Sequence, residues 1–281
     1  MAPPLPTPLV PKSPVRPLRR VLVAVAAALA LLTLASCAEE TPSIQADPAP
    51  RTDAPETTTT TEPKPTAPVD LAPPSAENLL GYIATPTGDP VVFSEPSESS
   101  APIEVQPETA VGAPTTFAVL GDPTAGVGVE WIQVALPERP NGSTGWVRAE
   151  SVEVTHTDLR VTVDMDARTL EVERADETVL EASVAIGTEK DPTPTGATYL
   201  TELIESIEPD GAYGPFALGL ALHSDTLTEF AGGPGQVGIH GTNRPDLIGE
   251  RVSSGCVRLD NDDIRALIDL QVPLGMPVII V

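Results

Sequence analysis

Histidine, cysteine and basic residues are all scarce in this chain, and each scarcity removes a class of function. Three histidines and two cysteines among 281 residues leave no cluster with zinc or iron–sulfur spacing. The acidic residues never take the ligand order of a calcium loop. Neither a metal nor a cofactor is therefore expected. Sixteen Lys and Arg face 40 Asp and Glu, a formal charge of −24. Four of the sixteen (Lys12, Arg16, Arg19 and Arg20) lie in residues 1–36, which hold no acid, so the remainder carries 12 basic against 40 acidic residues, or −28. A surface so acidic repels a phosphate backbone, and nucleic acid is excluded as a partner. Aromatic residues amount to 3%, so any small domain must place its few large rings with care.

What is present begins with an export signal. Arg19-Arg20 precede an apolar run from Val21 to Ala35, broken only by Thr33. That run is short for a membrane span of about 20 residues. It ends in Leu34-Ala35-Ser36-Cys37, which resembles the bacterial lipoprotein cleavage box. The resemblance implies that residues 1–36 are a signal peptide and that Cys37 is lipidated, anchoring the chain on the extracytoplasmic face of the cell membrane. If Cys37 is acylated, Cys256 has no cysteine left to pair with. Residues 37–78, with nine prolines and the Thr57–Thr61 run, read as a disordered, stiff tether towards the cell wall.

From 79 to 155 short apolar runs alternate with Gly and Pro. Val91–Phe93, Ile103–Val105, Phe117–Leu120 and Trp131–Val134 read as strands, and Pro140–Gly145 as a turn on an Asn-Gly pair. At least one of Trp131 and Trp146 is expected in the core of this small β-domain. From 158 to 281 the pattern is again mostly β. Leu159, Val161 and Val163 alternate, Leu170 and Val172 resume beyond a turn at Asp166-Ala167, and Val179–Ile186 follows. One helix is legible, capped by Asp260 with Ile264, Leu267 and Ile268 on one face, and Val278–Val281 closes the fold as a strand.

Chemistry concentrates between 239 and 259. His240 is followed by Gly241-Thr242-Asn243, and 16 positions after the histidine Cys256 stands in Ser253-Ser254-Gly255-Cys256-Val257-Arg258. A thiol with an imidazole partner is a nucleophile near neutral pH. Gly233-Pro234-Gly235-Gln236-Val237-Gly238 matches a dinucleotide fingerprint letter for letter, but it runs into Ile239-His240 instead of opening a helix, so that reading is rejected. His223 reads as a structural or edge residue, with a third catalytic group as the alternative, and His156 as a solvated residue of the link between domains.

The string His240-Gly241-Thr242-Asn243-x-Pro245 with Ser253-x-Gly255-Cys256-x-Arg258 closely resembles the signature of the L,D-transpeptidases with a YkuD-type catalytic domain. Ser254 departs from it, standing where many members carry a second histidine. Pro192–Gly196 and Tyr213–Phe216 resemble two further segments of the family. The resemblance implies a mainly β fold: a small SH3-like accessory domain, as in some actinobacterial members, then the catalytic β-fold with one helix after the nucleophile. It implies Cys256 as nucleophile and His240 as its partner, with carbonyl 241 orienting the ring and the backbone around Ser254 and Gly255 stabilising the oxyanion. Arg258, Tyr213 and Thr242 become candidates for substrate contact, Arg258 with the alternative of an ion pair to Asp260 or Asp262. Either His240 takes the thiol proton, or the pair rests as thiolate and imidazolium and alkylates well below the ordinary thiol pKa of about 8.5. The implied reaction joins peptidoglycan stem peptides through a cysteinyl thioester, with release of D-Ala and 3→3 cross-linking, and a carbapenem is an expected inhibitor. The same thioester resolved by water or a protein amine, and a non-catalytic wall-binding lipoprotein, are the competing readings.

Overall fold

The computed structural model describes residues 74–124, 129–230 and 233–281. The signal peptide, Cys37 and most of the tether lie outside the described residues. None of the described helices is long and apolar enough to cross a membrane.

The first half forms seven short strands: β1 (Tyr82–Pro86), β2 (Val92–Phe93), β3 (Pro102–Ile103), β4 (Phe117–Ala118), β5 (Trp131–Ala135), β6 (Thr144–Arg148) and β7 (Val152–His156). They make a three-stranded sheet in the order β4-β1-β7 and a four-stranded sheet in the order β3-β2-β6-β5. Alternation along β5 and β6 sends Ile132, Val134 and Val147 inward onto Phe117 and Val92. The same alternation sends both tryptophans to the other face, against the expectation of a tryptophan core. Aliphatic residues and one phenylalanine fill this small interior, so neither indole is needed there. Trp131 packs edge-on against Phe93 at 5.3 Å and lies 5.1 Å from the Arg148 guanidinium. His156 belongs to a strand and not to a free link: its ring meets that of Tyr82 at 4.8 Å.

The second half holds β8 (Leu159–Asp164), β9 (Thr169–Arg174), β10 (Glu177–Ser183), β11 (Ile186–Gly187), β12 (Gly196–Glu205), β13 (Phe216–His223), β14 (Gln236–His240), β15 (Arg251–Ser253), β16 (Val257–Arg258), helix α1 (Asn261–Asp269) and β17 (Pro277–Ile280). Eight of them form one sheet, β10-β9-β8-β17-β12-β13-β14-β16. The expected strand 179–186 is divided, because Ile186-Gly187 leaves β10 to pair in parallel with β15. Asp260 caps α1 by accepting from the Asp262 N–H, and Ile264 and Leu267 are the helix residues that are fully buried.

Both faces of this sheet are covered. Val278 and Ile280 of β17 point into the main core with Val161, Leu200, Leu220 and α1. Ile279 points the other way, with Tyr199 and Ala221, onto Leu79, Ala118 and Ala135 of the first half. Tyr199 is fully buried at this seam and its hydroxyl donates to the Ala135 carbonyl at 3.2 Å. A hydroxyl left unpaired at such depth would cost about 1–3 kcal/mol.

Candidate active site

Strand pairing brings the histidine and the cysteine together. β14 lies between β13 and β16, in parallel with the latter, and the register sets Ile239 beside Val257 and His240 beside Arg258. Cys256, two positions before Arg258, therefore falls level with Gly238. Tyr213, His240, Ser254, Cys256 and Arg258 all line one cavity of about 140 Å³.

The turn that presents Cys256 is held by Ser253. That side chain is buried, its Oγ donates to the Cys256 carbonyl at 2.5 Å, and it accepts from the Gly255 N–H at 3.1 Å. Gly255 has φ of +115°, a conformation that costs a residue with a Cβ dearly. Ser253 was legible only as part of a polar approach to the cysteine; its role in the turn needed the structure. The bond to Ser253 also corrects one expectation, since the Gly255 N–H is not free to receive an oxyanion.

His240 is buried, and its Nδ1 lies 2.6 Å from the Gly241 carbonyl. A carbonyl only accepts, so Nδ1 carries the proton and a neutral ring has its lone pair on Nε2. The Tyr213 ring covers the imidazole at 4.7 Å between centroids. Gly241 is fixed from behind: a Cβ there would meet Asn261 Oδ1 at 2.4 Å and Pro215 Cδ at 2.9 Å. Asn261, the first residue of α1, accepts from the Thr242 N–H at 2.8 Å. Thr242 is thus held in place by the first turn of α1. It is buried, its hydroxyl accepts from the Arg244 N–H, and it is not among the residues lining the cavity.

Burial dominates the electrostatics. It pushes the His240 pKa down to about 4, against the raising effect of the Gly241 bond and with help from the Arg258 charge. It pushes the Cys256 thiol up, although a backbone hydrogen bond at Gly238 and the Arg258 charge oppose it. Both shifts favour the thiol with a neutral imidazole at neutral pH over the ion pair that was the other expectation. Arg258 makes no ion pair among the described residues, and its Nε is buried without a partner. Asp260 serves as the helix cap and Asp262 pairs with Arg265, so the alternative of an Arg258 ion pair is not realised.

The first half of the chain braces the segments that wall the cavity. Ser224, Leu227 and Phe230, which follow β13, line the cavity. Arg139 Nη2 donates to the carbonyls of Ser224, Leu227 and Pro234, at 2.9, 3.2 and 3.1 Å. Asn141 binds the His223 backbone twice, donating to its carbonyl at 2.7 Å and accepting from its N–H at 2.8 Å. The Asn-Gly pair thus sits in a longer loop between β5 and β6, with the amide turned onto β13. No local pattern signals these contacts, which span 82 to 95 residues of sequence.

Residues 158–280 match the family model of the L,D-transpeptidase catalytic domain, YkuD. The chain is 32% identical over 116 residues to the "Putative L,D-transpeptidase YkuD" of Bacillus licheniformis, covering 41% of this chain and 61% of that protein. It is 32% identical over 120 residues to the protein of the same name from Bacillus subtilis, covering 43% and 64%. The chain thus spans less than two thirds of the length of these curated relatives. Among solved structures, L,D-transpeptidase 3 from Mycobacterium tuberculosis, in complex with a faropenem-derived adduct, matches 60% of this chain and 91% of its own at 15% identity, with a TM-score of 0.38. The cavity with its thiol and imidazole thus lies within the segment, 158–280, that is similar to the L,D-transpeptidase catalytic domain.

Proposed function

We propose that the chain is a peptidoglycan L,D-transpeptidase working through a Cys256 thioester. The observation that carries this reading is the convergence of Cys256 and His240 on one cavity, with the imidazole fixed by carbonyl 241 so that its basic nitrogen is Nε2. Because the resting pair is neutral, His240 acts as a general base, taking the thiol proton as sulfur attacks. The attacked carbonyl joins residues three and four of a stem tetrapeptide. Charge developing on its oxygen is met by the N–H groups of Ser254 and Cys256, an interaction worth about 3–4 kcal/mol per donor in comparable sites. His240 then returns its proton to the leaving D-Ala amine. An amine of a second stem attacks the thioester, closes the 3→3 link and frees the thiol. Arg258, with no carboxylate partner of its own, pairs with a substrate carboxylate. Tyr213 covers the reacting groups from the solvent side.

Incubated with a tetrapeptide-stem donor, the protein should gain the donor mass less D-alanine at Cys256, and Cys256→Ala should gain nothing. A mass gain that survives Cys256→Ala would end this reading. A carbapenem should acylate the same sulfur. We place the chain on the outer face of the cell membrane, held by a lipid on Cys37 and reaching the wall along its proline-rich tether. Cys37→Ala should release it from membranes; retention after a carbonate wash would instead identify Val21–Ala35 as a spanning anchor.

A further inference from the structure

A row of residues runs across the sheet from Cys256 to a buried carboxylate. Cα partners place Glu202 of β12 beside Gly219 of β13, and Gly219 beside Gly238 of β14, which is level with Cys256. Three strand spacings of about 4.8 Å make the row about 14 Å long, or four extended residues. Its middle is a floor without side chains. A Cβ on Gly219 would meet Gln236 Nε2 at 3.0 Å and Glu202 Oε2 at 3.1 Å, so a larger residue would press on the polar groups at the far end. One cavity of about 310 Å³ contains the whole row, with His240 and Cys256 at one end and Glu202 at the other.

Beyond Glu202 the floor opens into a second cavity of about 250 Å³ between the two halves of the chain. Glu202, Gln236, Pro234 and Ala110 line both. The second cavity adds Glu108, Glu138 and His223, and among the described residues no Lys or Arg lines it. Glu202 is 6% exposed, has no ion-pair partner among the described residues, and has the Thr109 hydroxyl as its hydrogen-bond partner. His223 is 7% exposed and lines the cavity; its Nδ1 is fully occluded, and neither ring nitrogen has a hydrogen-bond partner among the described residues. Burial raises the Glu202 pKa and, with the nearby Arg139 charge, lowers that of His223. Glu202 thus has no cation paired with it among the described residues, and a neutral imidazole can accept a hydrogen bond from an ammonium.

We propose that this interdomain cavity is a subsite for a primary ammonium group of the peptide substrate, bound by Glu202 and His223, with the peptide lying along the Gly219–Gly238 floor to Cys256. The proposal rests on the thioester reading above and adds to it a determinant built by both halves of the chain. A site made for a charged donor rejects an isostere lacking it strongly, because its own buried acceptors are left unpaired.

The test uses the full chain carrying Cys256→Ala and labelled with ¹⁵N-histidine. The probes are Nα-acetyl-lysine methylamide and its norleucine counterpart, which has the same backbone and no ammonium. The lysine probe should bind at least tenfold more tightly and shift the imidazole resonances of His223, identified by their loss in His223→Gln. Glu202→Gln should erase the preference; Glu108→Gln, an exposed rim change that leaves the core intact, should reduce it about threefold. Equal binding of the two probes, or shifts confined to His240, or a preference that survives both substitutions, would overturn the subsite. Donor acylation of Cys256 in the unsubstituted chain is scored separately. Acylation without a lysine preference refutes the subsite alone, and its absence refutes the thioester reading.

Discussion

His240 holds a proton in the folded protein only below a pH of about 4, whereas an unfolded histidine takes one near pH 6.5. Between these values the unfolded state binds the extra proton, so stability falls as pH drops from about 6.5 to about 4. The gap corresponds to about 3 kcal/mol. Denaturant melts at pH 7 and pH 4 should show His240→Gln losing about 3 kcal/mol less than the parent chain; equal losses would mean the imidazole is not held neutral. Acylation should depend on the same neutral ring, staying level through neutrality and collapsing only near pH 4–5. Iodoacetamide should modify Cys256 of the free protein with a midpoint at or above the ordinary thiol pKa of about 8.5. Ser253 allows a separate test. Ser253→Ala removes both bonds that close the Gly255 turn, and should slow acylation tenfold or more while costing about 1–3 kcal/mol in stability. The sequence disclosed Cys256, His240 and carbonyl 241, because those residues are close in the chain and chemically distinctive. It gave no hint that burial would keep the pair neutral, since burial is a property of what packs around them.

Among the elements, strands with strict alternation were legible and short or divided ones were not. Leu159–Val163 and Leu170–Val172 declare their inward faces by period alone, and α1 shows its cap and its apolar stripe. The break between Ser183 and Ile186 has no such mark, because it is made by a partner strand 65 residues further on. The loop between β5 and β6 is the most consequential element missed. Its Arg139 holds three carbonyls of the segment that walls the cavity. Arg139→Ala should increase hydrogen exchange at amides around Ser224–Leu227, with KM for the donor rising severalfold and kcat changing little. An unchanged exchange pattern would mean the segment stands without the guanidinium.

At the level of the whole molecule, the two halves share a buried seam around Tyr199, Ala221 and Ile279. Residues 74–281 should therefore unfold in one transition by both fluorescence and circular dichroism. A fragment starting at residue 158 should bind a hydrophobic dye through that uncovered face, and two well-separated transitions in the longer chain would contradict the coupling. Composition predicted two β-rich halves but not their union, because Tyr199 and Ile279 read equally well as members of a private core. The order of strands has a further consequence. β17 lies in the middle of the eight-stranded sheet, between β8 and β12, yet it follows every other strand described. Val278 pairs with Val161, a closure across 117 residues. Without this strand the β8–β10 hairpins and the β12–β14 hairpins are linked only where the chain after β10 meets β15 and β16. The eight-stranded sheet can thus be completed only once every other strand described has been made.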